Sequence, residues 1–315
     1  MNCLRNTKTT CRNSNIMRYK DFLTISLIVA FALSACGLNS SEDSASSTPQ
    51  PASLTDEPIP TLAETLSMSP ISTPILQESW WHPVIGLTWQ WELSDEDIDT
   101  SIEADVYDID LYADQSIIEE LHAKGCKVIC YISVGSWEDW RPDKDQFPPE
   151  VLGKDYDGWP GEKWLDIRKM DKLAPIMRAR LDLCKSKGFD AVEPDNMEIY
   201  TNDTGFPLTF EDQLRYALWL ADEAHQRGLA IGQKNASDQV VNLVDVYDFA
   251  ITEDYFFYNE AEAMLPYIKA GKPVFAAEYT DLGGDFESYC EKSKELKFST
   301  ILKDRELDSW VKFCP

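Results

Sequence analysis

Histidine is almost missing from this chain. Three of its 315 residues are His (His82, His122 and His225), they are scattered, and two fall inside helix-like patterns. No Cys/His spacing joins them, so no metal site is expected and no cofactor is called for. Glycine is also sparse. Gly135 and the Gly283-Gly284 pair stand isolated rather than in a loop that could cradle phosphate, which argues against a doubly wound nucleotide-binding sheet. The Gly-x-Ser-x-Gly elbow of the α/β-hydrolases is absent. Basic residues are few: 29 Lys and Arg stand against 55 Asp and Glu, a formal charge of −26. Removing the five basic residues and one acidic residue of positions 1–35 leaves −30. Such a chain repels nucleic acid, so no nucleic-acid partner is expected, and it would attract a polycationic ligand. Long hydrophobic runs are lacking too; the stretch Phe22 to Leu33 is too short for an ordinary transmembrane helix.

That stretch has another use. Met17-Arg18-Tyr19-Lys20 is a basic start, Phe22 to Leu33 an apolar h-region, and Leu33-Ser34-Ala35-Cys36 matches a bacterial lipobox. Cys36 is therefore the expected lipidation site and mature N-terminus. Met17 serves as a start as well as Met1, because residues 1–16 add nothing that such a signal needs. Residues 37–79 follow as a linker, with 21 Ser, Thr and Pro among 43 residues and one Gly. That composition cannot build a core. In the extended limit, at about 3.1 Å per residue, it could hold a domain on the order of 100 Å from a membrane. The expected organisation is a lipoprotein signal over 1–36, the linker over 37–79 and a catalytic domain over 80–315. The protein is then exported, monomeric, and attached to the membrane by lipid at the bacterial surface.

Within 80–315 one scheme repeats: a helix, Lys or Arg with Gly, a short apolar run, and a polar end. Asp212 to Arg227 carries Leu214, Ala217, Leu218 and Ala221 on one face and stops at Gly228. Asp114 to Lys124 stops at Gly125, and Leu173 to Lys187 at Gly188. Strands are expected to begin at Val84, Val106, Lys127, Phe189, Ala230, Phe249, Val274 and Phe298. Eight strands in 236 residues point to a (β/α)8 TIM barrel of the α/β class, for which about 250 residues is typical.

Acids cluster at the strand ends, where this fold does its chemistry. Phe189-Asp190-Ala191-Val192 runs into Glu193-Pro194-Asp195-Asn196, and Pro194 ends the strand. Ala250-Ile251-Thr252 leads to Glu253-Asp254, and Val274 to Ala277 leads to Glu278-Tyr279. Two carboxyl groups that can flank one bond suit paired general acid–base work. Asp195 and Glu253, on strands two apart, can face each other across the mouth. Trp89, Trp91, Trp137, Trp140 and Trp159 offer faces for sugar rings, about half of them expected to be core instead. Asp166, Glu193 and Glu278 could hold a substrate ammonium or hydroxyls. Lys234 is read as bonding either a sugar hydroxyl or a carboxylate. Among the cysteines of an exported chain, Cys290–Cys314 is the favoured disulfide and Cys126–Cys184 a second pairing. Cys130, inside a strand, reads as a buried thiol.

The segments Thr88-Trp89-Gln90-Trp91, Tyr107-Asp108-Ile109-Asp110, Cys130 to Glu138, Gly158-Trp159-Pro160-Gly161-Glu162, Trp164 to Arg168, Val192 to Asn196, Gly205-Phe206-Pro207, Glu223-Ala224-His225 and Ala277-Glu278-Tyr279 occur in this order. In them the chain resembles glycoside hydrolase family 114, the endo-α-1,4-polygalactosaminidase family. The resemblance implies a secreted or surface-attached (β/α)8 enzyme that cleaves α-1,4-linked, galactosamine-containing, cationic polysaccharide. It implies catalytic acids at the ends of the fourth and sixth strands, here Asp195 and Glu253. The residues expected to bind substrate beside them are Trp89, Tyr131, Asp166, Glu193, Lys234 and Glu278. The chain departs from the family pattern at Met197-Glu198-Ile199-Tyr200, at Gln233-Lys234-Asn235-Ala236 and at Tyr255. The first two touch the expected pocket and bear on substrate preference. The alternative is a surface lipoprotein that binds polysaccharide without cutting it.

Overall fold

The computed structural model describes residues 80–94 and 98–315. Cys36 and the signal and linker expected before residue 80 lie outside the described residues. Eight strands run parallel in one sheet: β1 (Trp89–Glu92), β2 (Val106–Asp110), β3 (Lys127–Ser133), β7 (Ala191–Asp195), β8 (Ala230–Lys234), β9 (Phe249–Glu253), β10 (Val274–Tyr279) and β11 (Ser299–Lys303). The two edges are drawn together: Trp89 Nε1 donates to the Ser299 carbonyl (2.9 Å) and Ser299 Oγ to the Leu87 carbonyl (2.6 Å). A final strand, β12 (Lys312–Phe313), pairs antiparallel with β11. The helices are α1 (Gln115–Ala123), α2 (Met170–Lys187), α3 (Phe210–Gln226), α4 (Val240–Leu243), α5 (Leu265–Lys269) and α6 (Phe286–Leu296). This is the expected α/β barrel. Among the described residues no helix joins β1 to β2, and β12 stands where a last helix would.

Two cores follow from strand alternation. Val106, Ile129, Ala191, Ala230, Phe249, Phe275 and Ile301 point inward and pack with Trp89 and Trp91, while Tyr107, Cys130, Val192, Ile231 and Ala276 face the helices. Inside, Trp89 lies against Trp91 and Phe275 (centroids 5.7 and 5.4 Å), and Phe249 against Phe275 (5.8 Å). Burying each such ring contributes about 1.5–3 kcal/mol. Space is tight: a Cβ on Gly232 would come within 2.2 Å of the Phe249 ring, so β8 needs glycine there.

The helix stops are where the sequence puts them. Asp114 caps α1 by accepting from Ser116 N, and Thr209 with Asp212 forms a capping box on α3. Gly125, Gly188 and Gly228 adopt positive φ just past the helices. Val106, Lys127, Ala230, Phe249 and Val274 begin their strands as expected. The first strand begins at Trp89 rather than Val84, and two others begin at Ala191 and Ser299 rather than Phe189 and Phe298.

One element was not foreseen. Between β3 and α2 the chain forms an antiparallel sheet of β4 (Ser136–Glu138), β5 (Leu152–Asp155) and β6 (Glu162–Leu165). The cysteines also need one correction. Cys290–Cys314 is bonded as favoured, but the second bridge joins Cys130 to Cys184 and leaves Cys126 as a thiol. Alternation explains it: Cys130 points outward from β3 onto α2, where Cys184 lies with a Cα separation of 6.0 Å.

Candidate active site

The inward residues at the ends of β7, β8 and β9 are Asp195, Lys234 and Glu253. Each is followed by a residue in the left-handed region: Asn196 (φ 62°), Asn235 (φ 45°) and Asp254 (φ 59°). Asn and Asp tolerate that conformation better than other side-chain-bearing residues, so each strand turns away at once and leaves its last side chain at the mouth.

Lys234 organises the site. It is 2 % exposed and its ammonium lies 2.9 Å from Glu193 Oε1, 2.9 Å from Asp195 Oδ1 and 3.1 Å from Glu253 Oε2. The ammonium donates hydrogen bonds to Glu193 and Asp195 and forms an ion pair with Glu253. The Trp91 ring supports the cation from 4.6 Å. Burial works to lower the lysine's pKa, but Asp195, Glu193 and Glu253 outweigh it and hold it well above its ordinary value. Asp195 Oδ2 accepts from Tyr131 OH (2.9 Å). Glu253 Oε1 accepts from Tyr279 OH (2.6 Å) and Oε2 from Asn235 Nδ2 (3.1 Å). Burial works to raise the Glu253 carboxyl; the Lys234 charge, then the Tyr279 and Asn235 bonds, overcome it and hold the group below its ordinary range.

Above this floor opens a cleft of about 520 Å³. Seven carboxyl residues line it (Asp110, Glu138, Glu162, Asp195, Glu198, Glu253 and Glu306) against three cationic ones, Arg141, Lys234 and Arg305. The β4–β6 insertion supplies one wall. Trp140 and Trp159 stand there 53 % and 49 % exposed. Glu162 accepts from Ser136 Oγ (2.5 Å), which also takes a bond from Asn196 Nδ2 (3.1 Å). Burial pushes the Glu162 carboxyl up to about 7. On the opposite wall Arg305 lies 3.9 Å over the Tyr279 ring and bonds Asp254 Oδ2 (3.0 Å). Among the described residues no group of His, Cys, Asp and Glu is arranged to hold a metal ion.

Of the expected site residues, Asp195, Glu253, Tyr131 and Lys234 converge on the cleft. The other four do not line it. Trp89 is fully buried in the barrel interior, one layer below. Glu193 is also fully buried and touches Lys234 from beneath. Asp166, past β6, is bound through both oxygens by Arg168 (2.7 and 2.9 Å). Glu278 accepts from the backbone N–H groups of Phe256 and Phe257 (both 3.0 Å), because it points outward from β10 while Tyr279 points inward. Strand parity with Phe275 could have picked out Tyr279. Asn235, Glu138 and Glu162 were also missed; for the two glutamates, on an unforeseen sheet, no periodic signal exists.

Comparison with known proteins identifies the family. Residues 72–315 match the model of glycoside-hydrolase family GH114. The crystal structure of Aspergillus fumigatus Ega3 in complex with galactosamine is 41% identical, covers 74% of this chain and 97% of its own, and superposes with a TM-score of 0.71. The glycoside hydrolase domain of PelA from Pseudomonas aeruginosa, 12% identical over 72% of this chain and 99% of its own, shares the fold with a TM-score of 0.58. An uncharacterized protein of Deinococcus radiodurans is 25% identical over 211 residues, 60% of this chain and 68% of that protein. The chain belongs to glycoside-hydrolase family GH114 and is a glycosidase.

Proposed function

We propose that this glycosidase cleaves α-1,4-linked, galactosamine-containing polysaccharide with Asp195 and Glu253 as its catalytic carboxylates. The observation that carries the reading is the convergence of these two groups on one ammonium at the cleft floor. One protonates the leaving glycosidic oxygen as the bond to the anomeric carbon breaks. The other attacks that carbon, and water then displaces it while the first residue takes the water's proton. Lys234 Nζ is 2.9 Å from one carboxylate oxygen and 3.1 Å from the other, so those oxygens are at most about 6.0 Å apart. That separation is nearer the roughly 5–5.5 Å of retaining enzymes than the roughly 6.5–9.5 Å that inverting ones need for an intervening water. Retention of anomeric configuration follows.

Seven acids against three cations in the cleft support a substrate bearing free ammonium groups. The exposed indoles of Trp140 and Trp159, in place of the buried Trp89 and Trp91, suit stacking on sugar rings along the insertion wall. Ega3, crystallised with galactosamine, supports the same sugar. The polypeptide before residue 80 supports export and anchoring through Cys36, with residues 37–79 as the tether of a monomeric surface enzyme.

The test is to incubate the protein with galactosamine polymer of graded N-acetylation and measure new reducing ends. Cleavage is expected, with higher kcat/KM on partly deacetylated polymer and a gap that narrows as added salt screens exposed charges over about 10 Å at 0.1 M. Binding without new reducing ends would sink the catalytic assignment. Equal rates on all polymers at low salt would sink the charge argument.

A further inference from the structure

Beneath Lys234 lies a fourth carboxyl that the chemistry above does not use. Asp108 points inward from the middle of β2 and is fully buried. Neither of its oxygens, nor Glu193 Oε2, receives a hydrogen bond from any N–H or O–H donor among the described residues. The groups that face it are Glu193 and Asp195 from β7 and Lys234 from β8. Lys234 directs its ammonium at Glu193, Asp195 and Glu253, at 2.9, 2.9 and 3.1 Å, and gives no hydrogen bond to Asp108. A charged Asp108 here would be a buried anion without a donor, next to a second anion; such a group neutralises instead. A proton shared between Asp108 and Glu193 satisfies two of the three orphaned oxygens, one on each residue, and leaves the third as the carbonyl oxygen of a neutral Asp108, which is far less costly to bury than a charge.

We propose that Asp108 is a positioning residue: it stays protonated in the working enzyme and donates its O–H to Glu193, fixing Glu193 as the anionic anchor that sets the Lys234 ammonium between Asp195 and Glu253. Burial raises both carboxyls, but Lys234, 2.9 Å from Glu193 Oε1, favours the charged form of Glu193 and limits its rise to about 7, while Asp108, without such a contact, keeps the proton. Burial and the Glu193 charge push the Asp108 carboxyl well above its ordinary range, in the same sense. Without Asp108, Glu193 would face the apolar interior with one bare oxygen. It would then take up the proton itself, and Lys234 would lose its anchor.

The kinetic test rests on the substrate reading above. Asp108→Ala should lower kcat about tenfold or more with KM within about twofold, since the residue touches no substrate. Asp108→Asn keeps a neutral donor of similar shape and should restore kcat to within about threefold, with the pH profile of the parent enzyme. An Asp108→Asn enzyme that is inactive, or whose pH profile is displaced, would mean that Asp108 works as an anion and would overturn the proposal. So would an Asp108→Ala enzyme indistinguishable from the parent. A second measurement needs no substrate and no folded alanine variant: the infrared difference spectrum of parent protein against Asp108→Asn at about pH 8, where ordinary Asp is ionised. A protonated carboxyl C=O band should be present in the parent and missing from the variant; its absence from the parent overturns the proposal. A parent enzyme silent on every galactosamine polymer would instead overturn the substrate reading and leave the infrared result standing.

Discussion

Glu253 accepts the Tyr279 hydroxyl at 2.6 Å: Ala277 is the register partner of Glu253 on the neighbouring strand β10, and Tyr279 is the next inward residue beyond it. This bond is one of the forces that hold the Glu253 carboxyl below its ordinary value against burial. Tyr279→Phe should therefore raise the Glu253 pKa and move the acidic limb of the kcat/KM profile upward, while Lys234, the larger lowering influence, remains in place. The same sign governs stability. A carboxyl whose folded pKa is depressed stabilises above its unfolded value near 4.5, and that contribution is lost as pH falls through the lowered folded value. Superposable acidic limbs for parent and Tyr279→Phe would show that Glu253 is not the group titrating there.

Asp195→Asn and Glu253→Gln keep shape and remove the ionisable group. Each should lower kcat by about a thousandfold or more, while circular dichroism and melting temperature show a folded barrel. A variant that keeps more than about a tenth of the parent activity would exclude that carboxylate from the chemistry.

The disulfides can be read directly. Peptide mapping of the unreduced protein should find Cys130 joined to Cys184 and Cys290 to Cys314, with Cys126 alkylated only after its half-buried site is opened. Opening the Cys290–Cys314 loop, 24 residues long, by substituting both cysteines with Ser should cost about 3 kcal/mol, seen as a lower melting temperature. Recovery of a Cys126–Cys184 peptide would overturn the assigned pairing.

Cys36→Ser should move the protein from the membrane to the soluble fraction of the cells that export it. Among the described residues no helix is long and apolar enough to span a bilayer, and without the lipid the linker offers nothing to replace it. A Ser variant that stays with membranes at high salt would refute the lipid anchor.

Much of the barrel could be read from local chemistry. Five strand starts, among them Val106 and Lys127, and the helix stops at Gly125, Gly188 and Gly228 follow from short apolar runs and left-handed caps, which need no distant partner. The first strand was misplaced because Val84 to Leu87 is apolar as well, and only pairing with Val106 selects Trp89. The β4–β6 sheet was missed because its strands are short and polar, and their stability comes from pairing with one another.

At the site, the sequence by itself determined that carboxylates end the fourth and sixth barrel strands, since Asp195 and Glu253 close apolar runs and strand order alone sets them near each other. Tertiary structure decided everything that depends on which way a side chain points and what meets it. It sent Glu278 outward and Tyr279 inward, put Trp89 in the floor rather than in the cleft, and bonded Cys184 to Cys130 rather than to Cys126. It also gathered Glu193, Asp195 and Glu253 around one ammonium. Local propensity is a property of neighbours along the chain, whereas the parity of a strand and the charge a buried group can keep depend on residues tens of positions away.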